Sequence, residues 1–206
     1  MAHKRIYLIR HGKTPGNTQR RYIGRGTDEA LSAEGIEEAG RCRLRMASIQ
    51  DFRDEKLRVC ASPMIRTLQT ARILFDRPVT VISAIEEIDF GAFEGKDEKE
   101  LSQLPSWQAW IDRGCTGQIP GGESLDQFID RSYAGFLEAL GDRTRDETIA
   151  VVCHGGTIMS ILSRLTGEDY FLFIAPNLGG CRLELETEDE NIHLVSYDRF
   201  GGRSPA

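Results

Sequence analysis

No stretch of the 206 residues approaches the run of about eighteen apolar side chains that a membrane-spanning helix requires, so no span of the bilayer is expected. There is no C-x-x-C pair either. The five cysteines, Cys42, Cys60, Cys115, Cys153 and Cys181, are odd in number and far apart. That argues against a zinc ribbon or a dithiol redox centre and fits reduced thiols in the cytoplasm. Met1-Ala2-His3-Lys4-Arg5 leads into a strand-like segment rather than an apolar leader core, so no signal peptide is expected. Repeats, low-complexity tracts and interdomain linkers are also missing. The balance of 26 Lys and Arg against 32 Asp and Glu gives a net charge of -6, which speaks against a general binder of nucleic acid or anionic membrane. A chain of this length can bury one sizeable core without staples. The expectation is one soluble domain over residues 1–200, followed by a flexible tail at 201–206.

What is present is an alternation of short β-rich runs with helical patterns, the sequence form of a layered α/β domain. Ile6-Tyr7-Leu8-Ile9 is continuous apolar sequence, as expected of a strand covered on both faces, and it stops at Arg10-His11-Gly12. Ser32 is expected to cap a helix with Ile36, Gly40, Leu44 and Ala47 on its inner face. A second strand is expected at Leu57 to Ala61. Ser62-Pro63 then reads as an N-cap with proline at the first helical position, and Ile65, Leu68, Ala71 and Phe75 as the buried stripe. Val79 to Ile82 reads as a third strand. The Gly- and Pro-containing stretch from Phe90 to Gly122 reads as an excursion over the sheet, with Trp107 and Trp110 packing inside it.

Ser124 and Gln127 form a capping box for a helix presenting Leu125, Phe128, Ser132, Phe136 and Leu140 on one face. Thr148 to Cys153 is a fourth strand, turning at His154-Gly155-Gly156 into the helical run Ile158 to Leu165. Cys181 to Leu185 and Ile192 to Tyr197 alternate like a terminal hairpin.

Three strands therefore end in polar residues just before a helix. In a parallel sheet such ends share one edge, where ligands bind and helix N-termini aim N–H groups at anions. Arg10 and Arg66 can each grip a phosphoryl group with two parallel charge-assisted bonds. Although the chain is acidic overall, residues 1–27 hold Lys4, Arg5, Arg10, Lys13, Arg20, Arg21 and Arg25 and no acid. A small phosphate ester at a basic strand end is the ligand these residues suit.

The run Arg10 to Asn17, R-H-G-K-T-P-G-N, resembles the signature of the histidine phosphatase, or phosphoglycerate mutase-like, superfamily. The resemblance continues through Ser62-Pro63-Met64-Ile65-Arg66-Thr67, Glu87-Ile88-Asp89-Phe90-Gly91, Gly121-Gly122-Glu123-Ser124 and His154-Gly155-Gly156, in the family's order. It implies a three-layer α/β/α sandwich with a mostly parallel central sheet. It also implies phosphoryl transfer through a covalent phosphohistidine, with His11 as nucleophile, Glu87 as proton donor and His154 beside them. Arg10, Arg66, Asn17 and Gly155 are the implied phosphate-binding residues, and neither metal nor cofactor is implied. Glu86 is the rival of Glu87 for the donor role. Cys153, one residue from His154 on a strand, points to the opposite face and reads as core.

At subgroup level the sequence looks most like alpha-ribazole phosphatases and their relatives. A broad-specificity phosphatase or phosphoglycerate mutase is the alternative, and an inactive phospho-ligand binding protein is the alternative of another class. The segment between Gly95 and Gly121 is short for a mutase of this type, which favours hydrolysis. Lys13, Thr14, Tyr22, Ile23 and Gly24 are the expected substrate pocket, with Lys13 making it more cationic. A monomer and a homodimer both fit the sequence.

Overall fold

Ile6, Tyr7, Leu8 and Ile9 form the middle of a strand whose alternate side chains feed two different cores. The computed structural model describes residues 1–188 and 191–201; the expected tail beyond 201 lies outside them. Its strands are β1 (Ala2–Arg10), β2 (Arg58–Ala61), β3 (Val79–Val81), β4 (Glu147–Cys153), β5 (Gly180–Glu188) and β6 (Asn191–Phe200), in the spatial order β3-β2-β4-β1-β5-β6. β1, β2, β3 and β4 run parallel, while β5 and β6 close one side as an antiparallel hairpin. The sheet is thus mostly parallel.

The helices are α1 (Pro15–Thr18), α2 (Ala33–Met46), α3 (Ile65–Leu74), α4 (Glu98–Leu101), α5 (Pro105–Asp112), α6 (Leu125–Leu140) and α7 (Gly155–Thr166). Ile6 and Leu8 of β1 and Ile149, Val151 and Cys153 of β4 pack with Phe136, Ile158 and Leu162 of α6 and α7. Tyr7, Ile9, Ala150 and Val152 pack on the other face with Ala39, Cys42, Ala71 and Leu74 of α2 and α3. The period-2 alternation of the strands therefore produces the three-layer sandwich. Each fully buried large side chain, such as Phe136, stabilises it by about 1.5–3 kcal/mol.

A third cluster, Ile88, Phe93, Leu101, Trp107, Ile119, Leu125 and Phe128, lies under the excursion between β3 and α6. Trp107 stacks edge-on to Tyr22 and Phe93 within it, and Trp110 lies against both Trp107 and Phe93. These tryptophans pack, as the sequence suggests.

Two helices differ from the expectation. On α2 the capping Ser32 is as expected, its Oγ accepting from the Gly35 N–H, but Ile36 and Leu44 are exposed. The inner face is Gly35, Ala39, Cys42 and Met46. A Cβ on Gly35 would come within 2.1 Å of the Lys13 carbonyl oxygen, so the helix meets the loop after β1 backbone to backbone. That close approach, not the larger apolar residues, sets its rotation.

Helix α3 starts at Ile65 rather than Pro63, with Met64 extended before it. Ser62 is not its cap, because the serine hydroxyl is engaged by His154. Ile65 is exposed, and its N–H is taken by the Asp28 carboxylate. The buried face is Arg66, Thr67, Thr70, Ala71 and Leu74, so the helix is rotated from the expected stripe and turns Arg66 inward in place of Ile65.

Candidate active site

β1 and β4 end in register, Arg10 opposite Cys153, and Ala61 at the end of β2 lies opposite Val152. The residues that follow these ends form the floor of the site. His11 is buried, and its Nδ1 lies 2.7 Å from the Gly12 carbonyl oxygen. A carbonyl only accepts, so Nδ1 carries the hydrogen and Nε2 keeps its lone pair. The ring of His154 sits edge-on, with centroids 5.3 Å apart. Its Nε2 is 2.9 Å from Ser62 Oγ, while its Nδ1 is buried with no partner.

Arg10 and Arg66 flank the two imidazoles. The Nη1 of Arg10 donates to the Ala175 carbonyl at 2.7 Å, and Arg66 donates to the carbonyls of Thr27 and Gly24 at 3.0 Å. The Nε of each arginine is buried and unpartnered. Two buried guanidinium N–H groups beside His11 therefore await an acceptor, and the His154 Nδ1 is unpartnered with them, a costly arrangement unless an anion occupies the place. Gly155 lies directly under Arg10, where a Cβ would meet the guanidinium carbon at 3.4 Å. There the N-terminus of α7 adds its positive dipole end.

Burial pushes the pKa of His11 well below its ordinary value, and the neighbouring Arg66 and Arg10 push it further. His154 is lowered in the same way, chiefly by burial and then by Arg66. Both are neutral at neutral pH. Burial also lowers Arg10 and Arg66, with the Glu87 carboxylate opposing it, but guanidinium stays charged.

Glu87 closes the site from above. Its Oε2 accepts from the Gly156 N–H at 3.2 Å and its Oε1 from its neighbour Ile88 at 3.0 Å. A Cβ on Gly156 would lie 2.4 Å from Glu87 Oε1, 2.9 Å from the Phe128 ring and 3.0 Å from the Tyr170 hydroxyl. Glycine is needed there because the carboxylate occupies that space. Burial raises the pKa of Glu87, against the pull of its two backbone donors and of Arg66 and Arg10. It thus holds a proton to higher pH than an exposed glutamate. Of the rival pair, Glu87 is the one whose carboxylate meets Gly156.

The loop carrying Glu87 is tied down by residues that the sequence reading did not single out. Arg131 of α6 donates to the carbonyls of Ala84, Glu86 and Glu87. It also pairs with Glu123, whose Oε2 accepts from Asp89 N–H. Asn177 is a second such residue. Its Nδ2 donates to the His11 carbonyl at 3.0 Å and to Asn17 Oδ1 at 3.1 Å. Asn17 Oδ1 also receives the Thr14 N–H, which leaves the Asn17 NH₂ group for the cleft. Glu123 carried a sequence signal through its glycine-flanked motif. Arg131 and Asn177 reach the site by tertiary contact alone.

Outward from this centre opens a cleft of about 530 Å³, lined by Arg10, Asn17, Arg20, Arg21, Tyr22, Ile23 and Glu87 among others. Tyr22 and Ile23 lie where the sequence reading puts them. Lys13, Thr14 and Gly24 do not line it. The Lys13 ammonium is held by Glu34 at 2.6 Å and Glu38 at 2.9 Å. Thr14 is buried as the cap of α1. Gly24 sits behind the floor, giving its N–H to Glu94 and its carbonyl to Arg66. The extra positive charge expected from Lys13 is therefore neutralised before it reaches the substrate space.

No helix among the described residues is long and apolar enough to cross a membrane. In sequence the chain is similar to "Probable phosphoglycerate mutase GpmB" of Salmonella paratyphi C. The two are 29% identical over 167 residues, which cover 79% of this chain and 74% of that protein. Among solved structures it resembles an alpha-ribazole phosphatase from Shigella flexneri, with a TM-score of 0.75 and 26% identity over 92% of this chain and 94% of that one. It also resembles the product of open reading frame Rv3214 of Mycobacterium tuberculosis, with a TM-score of 0.73 and 26% identity over 94% and 96%. The family model "Histidine phosphatase superfamily (branch 1)" matches residues 6–198, nearly the whole fold and every residue of the floor. The chain belongs to the histidine phosphatase superfamily, a superfamily of phosphatases and mutases.

Proposed function

We propose that the protein is a metal-independent phosphomonoesterase that works through a phosphohistidine on His11. The observation that carries this is the set of unpartnered buried nitrogens, Arg10 Nε, Arg66 Nε and His154 Nδ1, gathered around a neutral imidazole with its lone pair at Nε2. In the first step Nε2 attacks phosphorus, the bond from phosphorus to the ester oxygen breaks, and Glu87 gives its proton to the departing alkoxide. In the second, Glu87 takes a proton from water, the water oxygen attacks phosphorus, and the electron pair of the P–N bond returns to Nε2. Arg10, Arg66, His154 and the Asn17 amide spread the charge on the equatorial oxygens, the service a metal ion gives elsewhere.

Alpha-ribazole 5'-phosphate is the lead substrate, supported by the Shigella flexneri neighbour and by an open cleft walled by Tyr22, Ile23 and Phe90. A broad-specificity phosphatase or phosphoglycerate mutase is the second reading, favoured by the name of the Salmonella relative. The free thiols, mostly buried, fit work in the cytoplasm on a small molecule.

Turnover of p-nitrophenyl phosphate in EDTA between pH 5 and 8, by wild type and His11→Ala, tests the proposal. Chelator-resistant release lost in the variant is expected. An inactive wild type would leave a phospho-ligand binding protein, and activity surviving in His11→Ala would remove the phosphohistidine. Relative rates on alpha-ribazole phosphate, 3-phosphoglycerate and nucleotides then rank the substrates.

A further inference from the structure

The basic stretch at residues 1–27 resolves into paired and unpaired charge. Lys4 pairs with Glu147, Arg5 with Glu184 and Asp51, Lys13 with Glu34 and Glu38, Arg21 with Glu100, and Arg25 with Asp89. Among the described residues only Arg10 and Arg20 of this stretch form no ion pair. Both line the same cleft. Arg10 belongs to the phosphoryl cradle. Arg20 stands outside it on the exposed rim, and its guanidinium has no hydrogen-bond partner among the described residues.

The backbone makes the position more telling. Arg20 follows the C-cap of α1 and holds φ at 55°, in the left-handed region. The residue after a helix C-cap commonly adopts that conformation, but glycine usually fills it because a Cβ is strained there. Two backbone bonds fix the turn, Arg20 N–H to the Asn17 carbonyl and Arg21 N–H to the Gly16 carbonyl. The adjacent Arg21 is tied to Gln19, Gly95 and Glu100 and serves the structure. A strained, unpaired cation beside a tethered one, at the mouth of a reactive cleft, is the kind of outlier that points to function.

We infer that Arg20 is a specificity-determining residue that binds a second anionic group on the alcohol portion of the substrate. The preferred ester then carries a carboxylate or another phosphate besides the phosphoryl group held at His11. This rests on the phosphate-ester reading of the cleft. It also moves to Arg20 the role that the sequence assigns to Lys13. Glu87 is the one acid among the cleft residues named above, and its carboxylate is held at Gly156, at the start of α7, rather than at the rim. Glu100 is already taken up by the neighbouring Arg21, which leaves Arg20 without a carboxylate of its own among the described residues.

The test is calorimetric binding of non-hydrolysable phosphonates in three series of equal chain length, from two to six carbons. These are plain alkylphosphonates, ω-carboxyalkylphosphonates and α,ω-alkanebisphosphonates. In wild type at least one anionic series should bind about tenfold or more tightly than its plain counterpart at the length that reaches Arg20, as a charge-assisted bidentate contact implies. Whichever series shows the preference identifies the second group. Arg20→Ala should abolish the preference and leave plain alkylphosphonates within about twofold, since one exposed contact is removed and the cradle is untouched. Arg20→Gly should do the same while keeping or raising the melting temperature, because it relieves the left-handed backbone. Equal binding of all three series by wild type, or a preference that survives both variants, would overturn the inference. Turnover of p-nitrophenyl phosphate, measured alongside, separates the two readings. A preference without turnover would sink the phosphatase, and turnover without a preference would sink the role of Arg20.

Discussion

His11 and His154 follow directly on the ends of the adjacent strands β1 and β4, and Arg66 lies in the first turn of the helix after β2, whereas Glu87 rides on a loop that is neither strand nor regular helix. The floor is fixed by the sheet. The strand ends cannot shift without breaking the ladder, and their side chains are nearly excluded from solvent. The roof is fixed by side chains reaching across. Arg131 and Glu123 clamp the Glu87 loop, and Gly156 leaves the gap into which its carboxylate fits. The two halves of one site thus depend on different kinds of interaction, and they should fail differently.

The largest effect is expected from breaking the floor. Arg66→Ala removes a buried cationic donor and should lower kcat/KM by about 10²- to 10³-fold, with inorganic phosphate binding weakened as well. Breaking the roof should spare phosphate binding. Arg131→Ala frees the loop under Glu87, so kcat should fall by about 10²-fold, the cost of misplacing a reacting group by an ångström, while the Kd for phosphate stays nearly constant. Measuring both parameters in both variants checks the contrast. If Arg131→Ala weakened phosphate as much as turnover, the roof would not be a separate unit.

A pH profile sharpens the same comparison. His11 is neutral down to well below its ordinary value, so the floor is ready for attack throughout the near-neutral range. The proposed first step needs Glu87 protonated, and its raised pKa favours that form above the usual glutamate range. As pH rises through that raised value the proton is lost, so kcat/KM for phenyl phosphate should decline on the alkaline side. Glu87→Gln should be slower by about 10²- to 10⁴-fold and lack that alkaline limb. A limb retained in the variant would assign it to another group. The smallest effect belongs outside both halves. Lys13→Gln removes solvent-screened ion pairs with Glu34 and Glu38, and should change turnover less than about twofold and leave the melting temperature nearly unchanged.

The same contrast explains what the sequence makes legible. Apolar runs that stop at Arg10-His11-Gly12 and His154-Gly155-Gly156 announce the strand ends, because burial on both faces leaves a continuous apolar signature. The long amphipathic α6 is equally plain, with Leu125, Phe128, Phe136 and Leu140 all buried as expected. Where small residues make the contact the pattern misleads. Gly35 and Ala39 face inward on α2 while Ile36 and Leu44 meet solvent. Ser62 carries a capping signal, yet its hydroxyl serves His154. The neutralisation of Lys13, the grip of Arg131 on the Glu87 loop and the bond from Asn177 to His11 join residues distant in the chain, and no local pattern encodes them.

The most direct experiment is to trap the covalent intermediate. Rapid quench of wild-type protein with a fast-leaving aryl phosphate, in EDTA, should yield an acid-labile and base-stable phosphoryl adduct. Mass spectrometry after digestion at neutral to basic pH should place it on the peptide containing His11, and ³¹P NMR should assign it to Nε2. Glu87→Gln should accumulate more of the adduct, because the general base for its hydrolysis is gone. Turnover by wild type with no adduct at His11, or an adduct that forms equally in His11→Ala, would contradict a phosphohistidine built on the end of β1.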